Sequence, residues 1–211
     1  MTVFRPWFPA PIVQIDEFLS DDGAAAVLEE CIMLERVYSP ARIFDGPHAT
    51  KIDTSFRKND VLYLDDTFKN APEKSAILGS LKKTIWEPKC LEIWHQGYTV
   101  LDDICSATAH EMVVSRYGNC DFYGQHRDTR YDHIQRRRCT IVYYVNRQPE
   151  RFTGGAITFA EDDQKLTVTP KHNRAVVFPS HLLHEVEKVR LESEAWADGR
   201  FSINYWMGFL Q

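Results

Sequence analysis

The chain has 211 residues, 44% of them hydrophobic and 26% charged, with a net charge of −5. That balance fits a soluble globular protein able to bury a sizeable core without disulfide staples, and the acidic total gives no general attraction to nucleic acid or to an anionic membrane. Five cysteines (Cys31, Cys90, Cys105, Cys120, Cys139) are odd in number and scattered, without a CxxC pair, which points to free thiols in a reducing compartment. Met1 to Pro11 lacks the apolar run of a signal peptide, and no stretch is long enough to span a bilayer, so the expected location is cytoplasmic.

In chain order, Ile12 to Ile15 suits a short strand. Ser20 then stands where an N-cap would, with Asp21 and Asp22 favouring the positive end of a helix over Ala24 to Leu34. Tyr38 to Asp60 is polar and irregular, and Val61 to Leu64 suits a strand. Apolar residues at Ile77, Leu81, Ile85 and Trp86 give the stretch from Pro72 to Trp94 a helical pattern, interrupted by Pro88. After Ala109 the text becomes strand-like: Glu111 to Tyr117, Cys139 to Val145, Ala156 to Phe159, Leu166 to Val168, Arg174 to Phe178 and Phe201 to Trp206. Val, Ile, Thr, Phe and Tyr crowd these segments and turn residues separate them. Many short strands in about a hundred residues suggest a barrel or two-sheet jelly roll. The expected fold is β-rich α+β in a single domain, 1–211. Residues 1–108 would supply an N-terminal strand and helical support, and 109–211 the jelly-roll core.

His126-Arg127-Asp128 sets a His and a carboxylate two residues apart. An extended backbone there would place both on one face. A second His in a β context is His184, with His181 as a rival three residues earlier. Two imidazoles and a carboxylate can occupy one face of an octahedral iron(II), leaving positions for a co-substrate and dioxygen. Alone, an HxD pair is weak, because such pairs arise by chance beside a solvated surface.

The surrounding text adds specificity. Tyr117-Gly118 and Tyr123-Gly124-Gln125-His126-Arg127-Asp128 resemble the entry to the metal site in the prolyl-4-hydroxylase-like branch of the 2-oxoglutarate oxygenases. Arg137 to Asn146 resembles that family's next core strand, and Gly154-Gly155-Ala156-Ile157-Thr158-Phe159 its double-glycine strand. Pro170 to Val186 is similar to the segment bearing the distal His, and Arg200 to Trp206 to the strand whose Arg binds the co-substrate. Arg57 to Tyr63 also resembles the mobile-loop region of oxygen-sensing prolyl hydroxylases. The main motifs occur in family order over about Glu111 to Met207, roughly half the chain.

The resemblance implies a double-stranded β-helix with iron(II) held by His126, Asp128 and His184, together with 2-oxoglutarate and dioxygen. Arg200 would fork onto the distal carboxylate of 2-oxoglutarate, which a planar guanidinium suits. Tyr144 would donate to the same carboxylate, and strand alternation puts Tyr144, Val142 and Thr140 on one face with Tyr143 on the other. The resemblance also implies Tyr117 as a third co-substrate contact, at the end near iron. The gap from His184 to Arg200 is longer than usual, and Glu192 to Gly199 reads as an inserted polar turn. Arg190 is therefore a rival anchor, although Arg200, Ser202, Asn204 and Trp206 alternate inward within a convincing strand.

Other residues have plainer readings. His48, His95, His110, His133 and His172 suit surface or packing roles, and Cys120 and Cys139 read as buried thiols. The arginines at 127, 130, 136, 137 and 138 form either a solvated edge or a basic rim for an acidic substrate. The expected activity is hydroxylation of an sp3 carbon, with a prolyl residue of a peptide or protein as first candidate. A free amino acid or other small metabolite is the alternative. A non-catalytic jelly-roll binding module has no need of an intact His, Asp, His and Arg set. Base demethylation is disfavoured because the position six beyond Arg200 is Trp206, and halogenation because Asp128 is retained.

Overall fold

A computed structural model of the chain describes residues 2–4, 11–45, 49–88, 90, 106–129 and 137–209. Strand β1 (Thr2–Phe4) pairs with β2 (Val13–Asp16), and Ser20 caps α1 (Asp21–Met33) by accepting the Gly23 N–H. Short pieces follow: β3 (Ser39–Pro40), the β4 (Ile43–Phe44) and β5 (Thr50–Lys51) pair, β6 (Arg57–Lys58) and β7 (Asp60–Tyr63). Leu64 opens helix α2 (Leu64–Thr67) instead of ending a strand, with Asp65 and Asp66 in the first turn. The helical text from Pro72 is divided by Ser75. Its hydroxyl accepts the Leu78 N–H and starts α3 (Ala76–Thr84) afresh after a 3-10 turn at Pro72–Lys74. Residues 89 and 91–94 of that stretch lie outside the described residues.

The second half is almost all strand. It runs β8 (Ala109–Tyr117), β9 (Phe122–His126), β10 (Cys139–Val145), β11 (Phe152–Gly154), β12 (Ile157–Glu161), β13 (Gln164–Val168), β14 (Arg174–Pro179), β15 (His184–Val186), β16 (Val189–Leu191) and β17 (Arg200–Gly208). The large antiparallel sheet has the order β1-β2-β14-β10-β17-β8-β7-β3, and the smaller one β13-β12-β15-β9-β6. Together they form the jelly roll.

Before residue 108 the chain supplies more than one strand and helical support. It gives β1, β2, β3 and β7 to the large sheet and β6 to the smaller. Of these, β2 and β7 match the strands expected near Ile12 and Val61, whereas β1, β3 and β6, of two or three residues, carry too little text for a pattern to show.

Strand β10 is buried along its whole length because both its faces are covered. Ile141, Tyr143 and Val145 pack with Val27, Cys31, Ile77 and Leu81 of α1 and α3. Val142 and Tyr144 point the other way, onto Ile157, Phe159 and Val168 of the smaller sheet. The outer core thus clamps the large sheet under two helices, while the inner core fills only one end of the space between the sheets. The other end is open. Among the described residues, no helix is long and apolar enough to cross a membrane.

Candidate metal and co-substrate site

At that open end a cavity of about 250 Å³ is lined by residues of both sheets, including His126, Asp128, His184, Tyr117, Tyr144 and Arg200. His126 ends β9 directly opposite His184, the first residue of β15, so sheet pairing itself brings the two rings to a centroid separation of 4.3 Å. Asp128 arrives differently from the strand alternation expected for HxD, because β9 stops at His126 and the chain bends. The Asp128 and Thr129 N–H groups then donate to the Ser180 carbonyl at 3.0 and 3.3 Å. The turn, rather than a shared strand face, delivers the carboxylate.

Asp128 Oδ1 lies 3.7 Å from His126 Nε2, and Oδ2 lies 3.8 Å from His184 Nε2. The three ligand atoms fall within 4.8 Å of one another, close enough to share a metal ion. Tautomers follow from the partners. His126 Nδ1 faces the Gly124 carbonyl and His184 Nδ1 the Leu182 carbonyl, both at 2.9 Å. A carbonyl can only accept, so each Nδ1 carries the hydrogen and each ring turns its Nε2 inward, the atom free to bind a metal. Burial, and after it the neighbouring His184, hold His126 down to about 3, so it is neutral at pH 7. Burial would raise Asp128, but His184, His126 and Arg137 together outweigh it and keep the carboxylate below its usual range. Thr140 Oγ1 donates to Asp128 Oδ2 at 2.8 Å and contacts Ser180 Oγ at 2.9 Å. Two imidazoles and a carboxylate form a donor set suited to iron(II).

Across the cavity, Arg200 opens β17 and is completely buried. Its Nη1 donates to Ser202 Oγ at 3.1 Å, but Nε and Nη2 find no partner among the described residues, and neither does the nearby Tyr144 hydroxyl. The guanidinium lies 4.8 Å from the Tyr144 ring and 4.7 Å from the Tyr117 ring. Burial pushes the phenols of Tyr144 and Tyr117 up, so both remain protonated donors at neutral pH. Room for the arginine depends on Gly155 (φ +66), where a Cβ would come within 2.7 Å of Arg200 Cδ. Unpaired buried donors are costly. Here they converge on one spot, where a carboxylate would satisfy them.

The rival residues lie elsewhere. Arg190 is exposed in the middle of β16 and His181 is exposed beyond the end of β14; neither lines the cavity. The long gap between His184 and Arg200 holds β16, which pairs with β11, followed by the polar turn at 192–199. Arg137 stacks over Trp206 at 3.8 Å, pairs with Glu111 at 2.7 Å and reaches the Asp128 carbonyl. Arg127 pairs with Glu161. Arg130 and Arg136, like His48, His95, His133 and Cys105, lie outside the described residues. Cys139 is buried as expected, but Cys120 is exposed, at a turn with φ of +63. Its place at the tip between β8 and β9 carries it away from the core.

Sequence reasoning missed part of the wall. Tyr123 stacks on His126 at 3.6 Å, with Arg57 lying 4.3 Å above the outer face of Tyr123. Arg42, Ile43, Phe44 and Thr50 of the β4–β5 region also line the cavity. Tyr123 lies within the motif leading to His126 and Arg57 within the resemblance at Arg57 to Tyr63, whereas Arg42 to Thr50 reads only as polar and irregular.

The two-sheet jelly roll and the inward His-Asp-His set opposite a buried arginine define the class of a metal-dependent oxygenase core. Residues 112–208 match the family model of the 2OG-Fe(II) oxygenase superfamily. Over those residues, just under half of the chain, the core is similar to that of the 2OG-Fe(II) oxygenases, a family that implies iron(II), 2-oxoglutarate and dioxygen. An uncharacterised PKHD-type hydroxylase of Synechocystis is 28% identical over 107 residues, 46% of this chain and 35% of that protein. A PKHD-type hydroxylase of Prochlorococcus marinus is 29% identical over 99 residues, 45% of this chain and 44% of that one. The match therefore spans less than half the length of either relative. Among solved structures, a Pseudomonas putida prolyl-4-hydroxylase superposes with a TM-score of 0.65 at 22% identity, covering 96% of this chain and 94% of its own. A Trichoplax adhaerens prolyl hydroxylase, in complex with a hypoxia inducible factor oxygen degradation domain peptide fragment, gives 0.69 at 16% identity, covering 93% and 83%. At these identities the likeness is one of fold.

Proposed function

We propose that the protein is an iron(II)- and 2-oxoglutarate-dependent dioxygenase that hydroxylates an sp3 carbon, with a prolyl residue of a peptide or protein as its first candidate substrate. In this reading His126, Asp128 and His184 hold the iron, while Arg200 and Tyr144 bind the distal carboxylate of 2-oxoglutarate. Tyr117 flanks the co-substrate toward the metal. One observation carries the reading: the unpartnered donors of Arg200 and Tyr144 share a cavity with three convergent metal-ligand atoms.

Bound iron(II) supplies the activation of dioxygen that no side chain can perform. The protein's residues orient and shelter. The Gly124 and Leu182 carbonyls hold the two imidazoles in the tautomer that presents Nε2, and Thr140 steadies the carboxylate. Arg200 and Tyr144 would fix one end of the co-substrate, so that its opposite end reaches the metal in one orientation. Val142, Ile157 and Val186 give the cavity apolar walls that exclude water.

The test is 2-oxoglutarate decarboxylation with iron(II), followed by mass-shift screening of proline-containing peptides and free amino acids. His184→Ala should abolish metal-dependent decarboxylation, whereas His181→Ala should retain most of it. Loss of activity in the His181 variant alone would reassign the metal ligand.

A further inference from the structure

The cavity holds more positive charge than the metal centre and co-substrate use. Five arginines line it, against a single carboxylate, Asp128, among the described residues. Three are accounted for: Arg127 pairs with Glu161 and Arg137 with Glu111, both at 2.7 Å, and Arg200 is assigned to the co-substrate. Arg42 and Arg57 differ. Arg42 donates from Nε and Nη2 to the hydroxyl and carbonyl of Thr50, each at 2.8 Å. Arg57 donates from Nε to Asn59 Oδ1 at 2.8 Å and from Nη1 to the Arg42 carbonyl at 3.5 Å.

Each therefore keeps free N–H donors, and neither meets a carboxylate among the described residues. The Arg57–Arg42 contact joins the two into one unit on the cavity wall. Because Tyr123 lies between Arg57 and His126, the unit sits one aromatic ring away from the metal centre. Arg42 is exposed, but Arg57 is half-buried, and a half-buried guanidinium without a counter-charge is unfavourable unless a ligand completes it. The chain's net charge of −5 makes this local excess a feature of the site and not of the surface at large.

We infer that Arg42 and Arg57 form a carboxylate-recognition site at the mouth of the cavity, so that the primary substrate carries a carboxylate near the carbon presented to the metal. The inference rests on the oxygenase reading above and narrows its substrate. Two sources share this chemistry: an Asp or Glu side chain flanking the target residue of a peptide, and the α-carboxylate of a free amino acid.

The experiment reads binding without turnover. Protein loaded with nickel(II) is first titrated with 2-oxoglutarate; no binding there sinks the oxygenase reading itself. Probe binding is measured on both the loaded and the metal-free protein, so the charge question is answered in either case. One arm uses fluorescein-labelled proline-centred decapeptides with Asp/Glu, Ala or Lys flanks, read by anisotropy. The other compares L-proline with L-prolinamide by calorimetry. At low salt the carboxylate-bearing probe of one arm should bind ~10-fold or more tightly than its neutral counterpart, and the advantage should shrink as salt screens it. The arm that responds identifies the source.

Arg42→Gln and Arg57→Gln should each remove most of the advantage, Arg57→Lys should keep part of it, and Arg57→Glu should shift peptide preference toward Lys flanks. Because Arg42 is exposed, its variant guards against a folding defect at Arg57. Equal binding across the charge series, no binding of any probe, or an advantage that survives in the double Gln variant would overturn the assignment.

Discussion

Arg200 concentrates the energetics of the site in one side chain. It is fully buried, opens a nine-residue strand and makes one hydrogen bond to Ser202, leaving two donors for a ligand. Breaking a sheltered guanidinium–carboxylate pair by removing one partner costs about 3–5 kcal/mol. Arg200→Ala should therefore raise the 2-oxoglutarate requirement by about two to four orders of magnitude. Arg190→Ala, on an exposed strand away from the cavity, should leave it unchanged. Titration of 2-oxoglutarate into the two metal-loaded variants decides the matter. A larger loss in the Arg190 variant would move the anchor.

The elements that surround the site are tied by a few polar pairs with readable consequences. Asp16, at the end of β2, faces Arg174 at the start of β14, with Oδ1 2.6 Å from the guanidinium Nε, and Lys171 approaches from the side. The hydrogen bond from Arg174, ahead of the opposing effect of burial, lowers the Asp16 carboxyl to about 2. A depressed folded-state value means that the stabilisation is complete above the unfolded carboxylate range, near pH 4, and is lost as pH falls through about 2. Asp16→Asn should cost about 1–2 kcal/mol at pH 7, less than the full shift because solvent still reaches the pair. Urea denaturation of both proteins from pH 7 down to pH 2.5 should show the gap closing as the acid limit is approached. A gap independent of pH would mean that packing, and not charge, links these strands.

Across the whole molecule, Asn173 joins the helical layer to the jelly roll. It adopts φ of +58, a conformation Asn tolerates better than most residues, and is buried. Its Oδ1 accepts from the Leu19 N–H at 2.9 Å and the Tyr143 hydroxyl at 3.0 Å, while Nδ2 donates to the Leu19 carbonyl at 2.9 Å. One amide therefore satisfies the chain just before α1 and the outward face of β10 together. Asn173→Ala would strand three buried polar groups at about 1 kcal/mol or more each, so about 3 kcal/mol or more should disappear from the unfolding free energy. Chemical denaturation checks this, and a loss under about 1 kcal/mol would show that water replaces the amide.

The local text determined what local rules govern. Ser20 and the two aspartates after it start α1 where an N-cap should. The runs at Cys139 to Val145 and Arg200 to Trp206 become strands with Tyr144, Arg200, Ser202, Asn204 and Trp206 on the inner side, as alternation requires. His126, Asp128, His184 and Arg200 could be picked out because each lies in or beside a segment with its own pattern. Tertiary structure decided the rest. Asp128 reaches the two histidines through a bend held by Ser180, a residue 52 positions away in the chain and invisible to any window around His126. His184 outranks His181 because pairing of β15 with β9 turns one inward and leaves the other outside. Arg57 reaches the cavity through a two-residue strand that pairs non-locally with β9, and Arg42 stands just before the two-residue β4; segments so short have no period to read. Spacing along a strand specifies which face a side chain takes. Which strand it faces depends on long-range pairing of the folded chain.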